Sequence, residues 1–185
     1  MNLHKKVILS LATGGLLCVG AFVAINSTQK TKQVNQIIQS DDFSSYPQGA
    51  EYRDNASFGK WNVLFTGYGK AKIVPNGGAG NALELAPIAH TGPTDTSSIM
   101  VVGSPVGDTF TYSGKISTQE QLRTGATPNA WETAWVVWNH TDNDHYYYFV
   151  ARANGWELGK RDPKYTNGQR FMATGSESWP LASNK

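Results

Sequence analysis

Cysteine is nearly absent from this chain: of its 185 residues only one, Cys18, is a cysteine. Cys18 lies within an apolar N-terminal run, so the rest of the chain can form no disulfide bond and offers no thiol for catalysis. Leu17 stands before it where a lipoprotein signal has a small residue, which disfavours lipidation. The four histidines have no spacing typical of a zinc site. Stability must therefore come mainly from the burial of apolar side chains.

Charge is also sparse, since Asp, Glu, Lys and Arg make up 16% of the chain and the formal net charge is +2. Residues 1–40 contain four of the 16 basic residues and no acidic residue, so the remainder carries 12 basic against 14 acidic residues. The basic residues beyond residue 40 are scattered along the sequence. Because phosphate binding needs a concentrated positive face, we expect no nucleic-acid partner.

The N-terminus has the pattern of an export segment. Lys5 and Lys6 precede an uncharged run of 19 residues, 7–25, which is close to the roughly 20 residues needed to cross a bilayer. Phe22 occupies a position where cleavage of a signal peptide favours a small residue. Residues 1–25 are therefore either a cleaved signal peptide or an uncleaved anchor that contacts the membrane through residues 7–25. Both alternatives place the following domain outside the cell or at its surface.

The remainder divides into a linker and a domain. Residues 26–40 are polar, without glycine or aromatic residues, and predict a linker. Over residues 41–185, short β-type runs recur between Gly, Pro and Asn-Gly turn signals, and no stretch keeps a period of 3.6 residues. This pattern predicts an all-β antiparallel sandwich or barrel, preceded by the N-terminal apolar helix. The runs are KWNVLFTGYG, AKIVPNGG, NALELAP, SIMVVGSP, DTFTYSGKIST and TAWVVWN.

The aromatic block at residues 131–160 predicts three consecutive antiparallel strands. Its sequence is WETAWVVWNHTDNDHYYYFVARANGWELGK. Asn154-Gly155 is a two-residue hairpin signal, because both residue types tolerate a positive φ. This turn predicts that Arg152 lies opposite Glu157.

The polar break HTDND predicts the second pairing of the same block. Centring this loop on Asp142 places Trp138 opposite Tyr146 and Glu132 opposite Arg152. Longer loops fix register less tightly, so this pairing is less secure than the first.

Because side chains alternate across a strand, these registers predict two faces. One face is apolar and is assigned to the core: Trp135, Val137, Tyr147, Phe149, Ala151 and Leu158. The other face combines aromatic rings with charged groups: Trp138, Tyr146, Tyr148, Arg161 and the row Glu132–Arg152–Glu157. Rings that stack on pyranose C–H groups, beside groups that bond to hydroxyls, are typical of a sugar site. The alternative is that a second layer covers this face and the row is a structural ion cluster, since buried sheets also carry Tyr and Trp.

Several stretches resemble a known family. They are DDFSSYPQGAEY, Trp61, NALELAP and the block from WETAW to GQRFMATG. Together they resemble secreted domains with the concanavalin A-like jelly roll of lectins, glucanases, laminin G-like modules and polysaccharide lyases. The resemblance covers about residues 41–180 and implies a jelly-roll β-sandwich that binds glycans on its concave sheet. Such domains continue past FMATG with further strands, so the resemblance implies that the last strands are lacking.

These observations predict non-catalytic binding of an extracellular polysaccharide by a monomeric domain. The predicted ligand-binding residues are Trp138, Tyr146, Tyr148, Arg152, Glu132, Glu157 and Arg161. The alternative is a lyase or hydrolase, although the Glu-x-Asp-x-(x)-Glu signature of retaining glucanases is absent. In a lyase, Tyr148 would abstract a proton while Arg152 neutralises a uronate carboxylate, and His145 is a second candidate base. A third possibility is a structural cell-surface protein without a small ligand.

A structural calcium ion is the one cofactor that the sequence suggests. Domains of the family that this chain resembles often hold one near their termini, which points to Asp41 or Asp42. Oxygen-rich loops suit calcium. The loop TDND offers further oxygen atoms, but Asp and Asn are also the commonest turn residues. No complete ligand set can be named.

Overall fold

The computed structural model describes residues 39–78, 80–105, 110–179 and 181. Over these residues the protein is all-β and antiparallel, as predicted, and its only helical element is a 3-10 turn at Thr166–Gly168. The predicted export or anchor segment lies outside this range, as does nearly all of the predicted linker. No described residue belongs to a helix with the length and apolar character needed to span a membrane.

Within the described residues, ten strands form three sheets. In chain order they are β1 (Glu51–Tyr52), β2 (Ser57–Phe58), β3 (Trp61–Phe65), β4 (Lys70–Pro75), β5 (Asn81–Ala86), β6 (Met100–Val102), β7 (Trp135–Asp142), β8 (His145–Arg152), β9 (Gly155–Arg161) and β10 (Gln169–Gly175). The strand orders are β1-β4-β5, β2-β3-β6 and β10-β9-β8-β7. β7 and β10 are therefore the edges of the four-stranded sheet.

The two three-stranded sheets share one apolar core. Phe58 and Val63 from β2 and β3 pack with Ala71 and Ile73 from β4, and all four are at most 6% exposed. Alternation along the strands brings these residues inward, as in β4, where the buried Ala71 and Ile73 alternate with more exposed neighbours. The aromatic rings around this core are Phe43, Tyr46 and Tyr52 from the segment before β2, and Trp61 from β3.

The hairpin between β8 and β9 forms as predicted, but its register is shifted. Arg152 pairs with Gly155 and Val150 pairs with Glu157, so Ala153 and Asn154 occupy the turn. The prediction that Arg152 lies directly opposite Glu157 is therefore wrong by two residues. A shift of two keeps each side chain on its predicted face. Arg152 and Glu157 consequently still meet diagonally, with Nη1 donating to Oε1 at 2.8 Å.

The predicted register between β7 and β8 is wrong by one residue. Trp138 pairs with Tyr147, not with Tyr146, and Trp135 pairs with Val150. The pairing is irregular between Trp138 and Asp142, where Asn139 has a φ of 49°. A bulge of this kind inserts residues into one strand, which the sequence pattern of β7 does not reveal. A shift of one moves every side chain of β7 to the opposite face.

The burial of the two faces is also the reverse of the prediction. Tyr148, assigned to the ligand-binding face, is 1% exposed, and Val150 on the same side of β8 is 0% exposed. We call their side of the sheet the covered face. On the other side, which we call the open face, none of these side chains is buried: Val136, Trp138, Tyr147, Phe149, Ala151, Trp156, Leu158, Lys160 and Arg170.

One predicted strand is missing, and three observed strands, β1, β2 and β10, were not predicted. The part of DTFTYSGKIST that the structure describes, residues 110–118, has no regular secondary structure. β10 pairs with β9 through six of its seven residues, but its sequence QRFMATG lacks β-branched residues apart from Thr174. Pairing with β9, rather than intrinsic preference, therefore determines that this segment is a strand.

Candidate ligand-binding surface

A row of four side chains crosses the open face at one end of the sheet. Trp138 pairs with Tyr147, Tyr147 pairs with Lys160, and Lys160 pairs with Arg170. Because these partners are laterally aligned, all four side chains point to the same side. Three inter-strand steps give the row a length of about 14 Å. We call it the aromatic–cationic row.

The row begins with two aromatic rings. The ring centroids of Trp138 and Tyr147 lie 6.0 Å apart, with an angle of 18° between the planes. Lys160 Nζ lies 5.1 Å from the centroid of the Tyr147 ring, within range of a cation–π interaction. Both rings are partly exposed, and Tyr147 lies between the stacked Trp138 ring and the ammonium group of Lys160.

The loop between β9 and β10 adds further cations next to this row. Lys160 Nζ and Lys164 Nζ each lie 3.0 Å from Oδ2 of Asp162, whose side chain is 10% exposed. Lys164 Nζ also lies 5.1 Å from the centre of the Tyr165 ring, and Arg170 Cζ lies 5.6 Å from it.

Electrostatics around this loop are dominated by positive charge. Hydrogen bonding to Arg170 and the positive charges of Lys164, Arg170 and Lys160 lower the pKa of Tyr165. The hydrogen bond to Asp162 raises the pKa of Lys160, which keeps its ammonium group charged. Burial by itself raises the pKa of Asp162, but the hydrogen bonds from Lys160 and Lys164 outweigh it and hold the pKa well below its ordinary value.

The C-terminal segment limits the open face at its other end. Trp179 N donates to Arg152 O at 3.0 Å, and the Trp179 ring packs edge-on against Phe149. Trp156 Nε1 donates to Glu177 at 2.7 Å. The C-terminal segment thus contacts the open face at the end away from the aromatic–cationic row.

The predicted ligand-binding residues do not form one surface. Tyr146, Tyr148, Arg152, Glu157 and Arg161 share the covered face, whereas Trp138 lies on the open face. In the observed register of β7, the aromatic neighbour of Tyr148 on the covered face is Trp135.

Tyr148 is enclosed on the covered face. Its ring crosses β9 at Gly159, its hydroxyl group accepts a hydrogen bond from Gln169, and Trp135 packs on it with a centroid distance of 4.8 Å. Burial raises the pKa of Tyr148. Its phenol is therefore neutral and shielded, which disfavours the acid–base role that a lyase would require.

Of the other predicted residues on this face, Arg152, Glu157 and Arg161 form ion pairs. The side chains of Arg152 and Glu157 are 20% and 12% exposed. Arg161 lies 3.4 Å from Asp144, and both of these side chains are more exposed. Burial raises the pKa of Tyr146.

Glu132 lies outside the sheet, so the predicted row Glu132–Arg152–Glu157 does not exist. Its carboxylate accepts from Arg123 Nη2 at 2.7 Å and from Asn129 Nδ2 at 2.6 Å. The side chain of Arg123 is 1% exposed. Burial opposes ionisation of Glu132, but the hydrogen bonds from Arg123 and Asn129 lower its pKa overall. This ion pair anchors the irregular segment before β7.

The two acidic residues predicted to hold calcium accept hydrogen bonds from donors of the protein itself. Oδ2 of Asp41 accepts from Trp61 Nε1 at 2.7 Å and from the Tyr46 hydroxyl at 3.0 Å, and Lys60 Nζ lies 3.8 Å away. Oδ1 of Asp42 accepts from the amide and hydroxyl of Ser44. These donors engage Oδ2 of Asp41 and Oδ1 of Asp42, and calcium binding by this pair stays a prediction. No group of three or more His, Cys, Asp or Glu side chains within the described ranges is arranged to hold a metal ion.

Four residues of the candidate surface were not predicted as ligand-binding residues: Tyr147, Lys160, Lys164 and Arg170. Tyr147 was assigned to the core, and the three cations are spread over 11 residues of sequence, so that no cluster is visible. Only the pairing of β9 with β8 and β10 brings them together. The alternation of Lys160 with its neighbours in WELGKR was the one available signal.

No family model, curated protein or solved structure matches this chain.

Proposed function

We propose that this domain binds a polysaccharide without catalysis, and that the ligand lies along the aromatic–cationic row of the open face. The observation that carries the proposal is the lateral alignment of Trp138, Tyr147, Lys160 and Arg170 on a face without buried side chains. The ligand class and the role of Trp138 are those that the sequence predicted. The proposed site, however, lies on the open face instead of the covered face.

The chemistry of the row suits a chain of sugar rings. The Trp138 and Tyr147 rings supply partly exposed apolar surface for the C–H groups of a pyranose, and Lys160 and Arg170 supply hydrogen-bond donors for its oxygen atoms. The row is about 14 Å long, which is the length of a short oligosaccharide rather than of a single ring. Because the row ends at the sheet edge β10, a polymer can extend beyond it.

We further propose the concanavalin A-like jelly roll as the architecture and the exterior of the cell as the location. The antiparallel all-β fold supports the first, together with the resemblance of residues 41–180. The basic N-terminus and its 19-residue apolar run support the second.

Binding to a glycan array tests the proposed site, with the full chain and its Trp138→Ala and Trp138→Phe variants. We expect Trp138→Ala to weaken binding at least about tenfold, or about 1.4 kcal/mol, because it removes the larger stacking surface. Trp138→Phe retains a ring and should restore part of the affinity.

The matched control is Trp131→Ala, which removes another partly exposed tryptophan, 42% exposed, outside the sheet. This variant should bind as the unaltered chain does. Equal losses in both variants, or full binding by Trp138→Ala, would show that the row is not the site. Melting temperatures of all variants separate a loss of binding from a loss of fold.

A further inference from the structure

The cationic end of the row carries an uncompensated positive charge. Asp162 pairs with both Lys160 and Lys164, and Arg170 lies over the ring of Tyr165. Within the described part of the chain, Arg170 has no carboxylate within 4.0 Å, and its side chain is exposed. We call these three cations, with Asp162 and Tyr165, the cationic cluster.

The arrangement has an energetic cost in the free protein. Lys160 and Arg170 lie directly opposite each other on paired strands, and like charges in this position are destabilising. The buried Asp162 offsets this repulsion only on the side of Lys160 and Lys164. An anion placed between Lys164, Arg170 and Lys160 would relieve the remainder.

We infer that the cationic cluster binds the carboxylate or sulfate groups of an acidic polysaccharide whose sugar rings stack on Trp138 and Tyr147. This inference rests on the proposed function and specifies its ligand class. The aromatic rings contact the uncharged faces of the sugars, and the cations at the other end of the row contact the charged substituents. Continuity of the two parts along one row favours a polymer that carries both features.

Asp162 is a positioning residue in this site. One carboxylate oxygen, Oδ2, lies 3.0 Å from Nζ of both lysines, while the other, Oδ1, accepts a hydrogen bond from the Lys164 amide at 3.2 Å. Asp162 N also donates to Gly168 O at 3.0 Å, which fixes the loop that carries Lys164. The two ammonium groups are thereby held on one side of the sheet before any ligand arrives, which reduces the entropy lost on binding.

Titration calorimetry with polygalacturonate, dextran sulfate, neutral dextran and single-stranded DNA tests the inference. Three proteins are compared: the unaltered full chain, the double variant Lys164→Gln with Arg170→Gln, and the single variant Trp138→Ala. We expect tighter binding to the two acidic polysaccharides than to dextran, and a loss of about fivefold to tenfold for both acidic polymers in the double variant. Added salt should weaken the same interaction, because exposed charges are screened. Comparison of the affinities for the two acidic polymers shows whether carboxylate or sulfate is the preferred group.

Lys70→Gln with Lys72→Gln is the matched control, since it removes two partly exposed lysines from another sheet. This control should leave binding unchanged; an equal loss would show diffuse attraction and overturn the inference. DNA bound as tightly as the acidic polysaccharides, and equally sensitive to the double variant, would also overturn it.

Two further outcomes separate this inference from the proposed function. If acidic polymers are bound no better than dextran, but Trp138→Ala still weakens dextran binding, the cationic cluster is not an anion site and the polysaccharide site stands. If no polysaccharide is bound here or on the array, both proposals fail.

Discussion

Gly159 allows the largest buried side chain of the four-stranded sheet to lie flat. A Cβ atom built at residue 159 would stand 2.3 Å from Cζ of Tyr148. The absence of a side chain on β9 therefore leaves room for the Tyr148 ring, whose hydroxyl group reaches Gln169 on β10. The glycine within WELGK is therefore required for packing and does not mark a turn.

Gly159→Ala should destabilise the domain by about 1–3 kcal/mol, because the added methyl group forces the enclosed Tyr148 ring out of its place. Urea denaturation measures the loss. The control is Gly78→Ala, where a Cβ atom would meet nothing within 4 Å. A loss as large in the control as at residue 159 would contradict the packing argument.

The ion pair of Arg123 and Glu132 provides a second test at single residues. Glu132→Ala leaves the guanidinium of Arg123 buried without its carboxylate partner, and we expect a loss of about 3 kcal/mol. Glu51→Ala removes a carboxylate from the more exposed pair with Lys70, where the expected loss is about 0–1 kcal/mol. Chemical denaturation of both variants measures the difference. Similar small losses in both would show that burial of Arg123 does not strengthen the pair.

At the scale of the strand, β7 shows where sequence reasoning succeeds and where it stops. Its existence, its pairing with β8 and the hairpin β8–β9 follow from alternation and from turn residues. The face that Trp138 occupies does not follow from the sequence. The irregularity at Asn139 adds residues to β7, and in the sequence these extra residues cannot be distinguished from the loop HTDND. One residue of register then decides whether Trp138 joins Tyr146 or Tyr147.

The cationic cluster lay beyond sequence reasoning for a related reason. Its members come from β9, the following loop and β10, and they meet through cross-strand pairing. The sequence QRFMATG does not strongly predict a strand, so the partner of Lys160 could not be identified. The aromatic part of the surface could be expected from composition, whereas the charged part needed the pairing of β9 with β10.

On the scale of the whole domain, several carboxylates with little exposed surface accept hydrogen bonds. Asp41 bonds to Trp61, Glu132 to Arg123 and Asp162 to two lysines. In each case burial alone would raise the pKa, and hydrogen bonds to the ionised form reverse the effect and lower the pKa. Ionisation of these groups is therefore linked to folding.

Acid should consequently destabilise the domain. A lowered pKa in the folded state contributes stability that is fully present above the ordinary values, 3.8 for Asp and 4.5 for Glu, and lost as the pH falls through the folded-state pKa. We expect similar melting temperatures at about pH 7 and about pH 5, and a steep decline below about pH 4.

The variant Asp162→Asn provides the control for this pH dependence. It removes one of the linked carboxylates, so its melting temperature should fall less steeply with acid than that of the unaltered chain, measured by circular dichroism. An identical slope in the two chains would exclude Asp162 from the acid response. A flat profile in the unaltered chain would exclude all three groups.

The separation of the sheet into a covered and an open face has a consequence for how the sequence can vary. Along β8, Tyr148 and Val150 are almost fully buried, whereas Tyr147, between Tyr146 and Tyr148, is partly exposed and packs against Trp138 and Lys160 on its own face. Tolerance to substitution should therefore alternate from one residue to the next. On the proposed ligand-binding surface, preference can then diversify at every second position while the same polypeptide continues to fold.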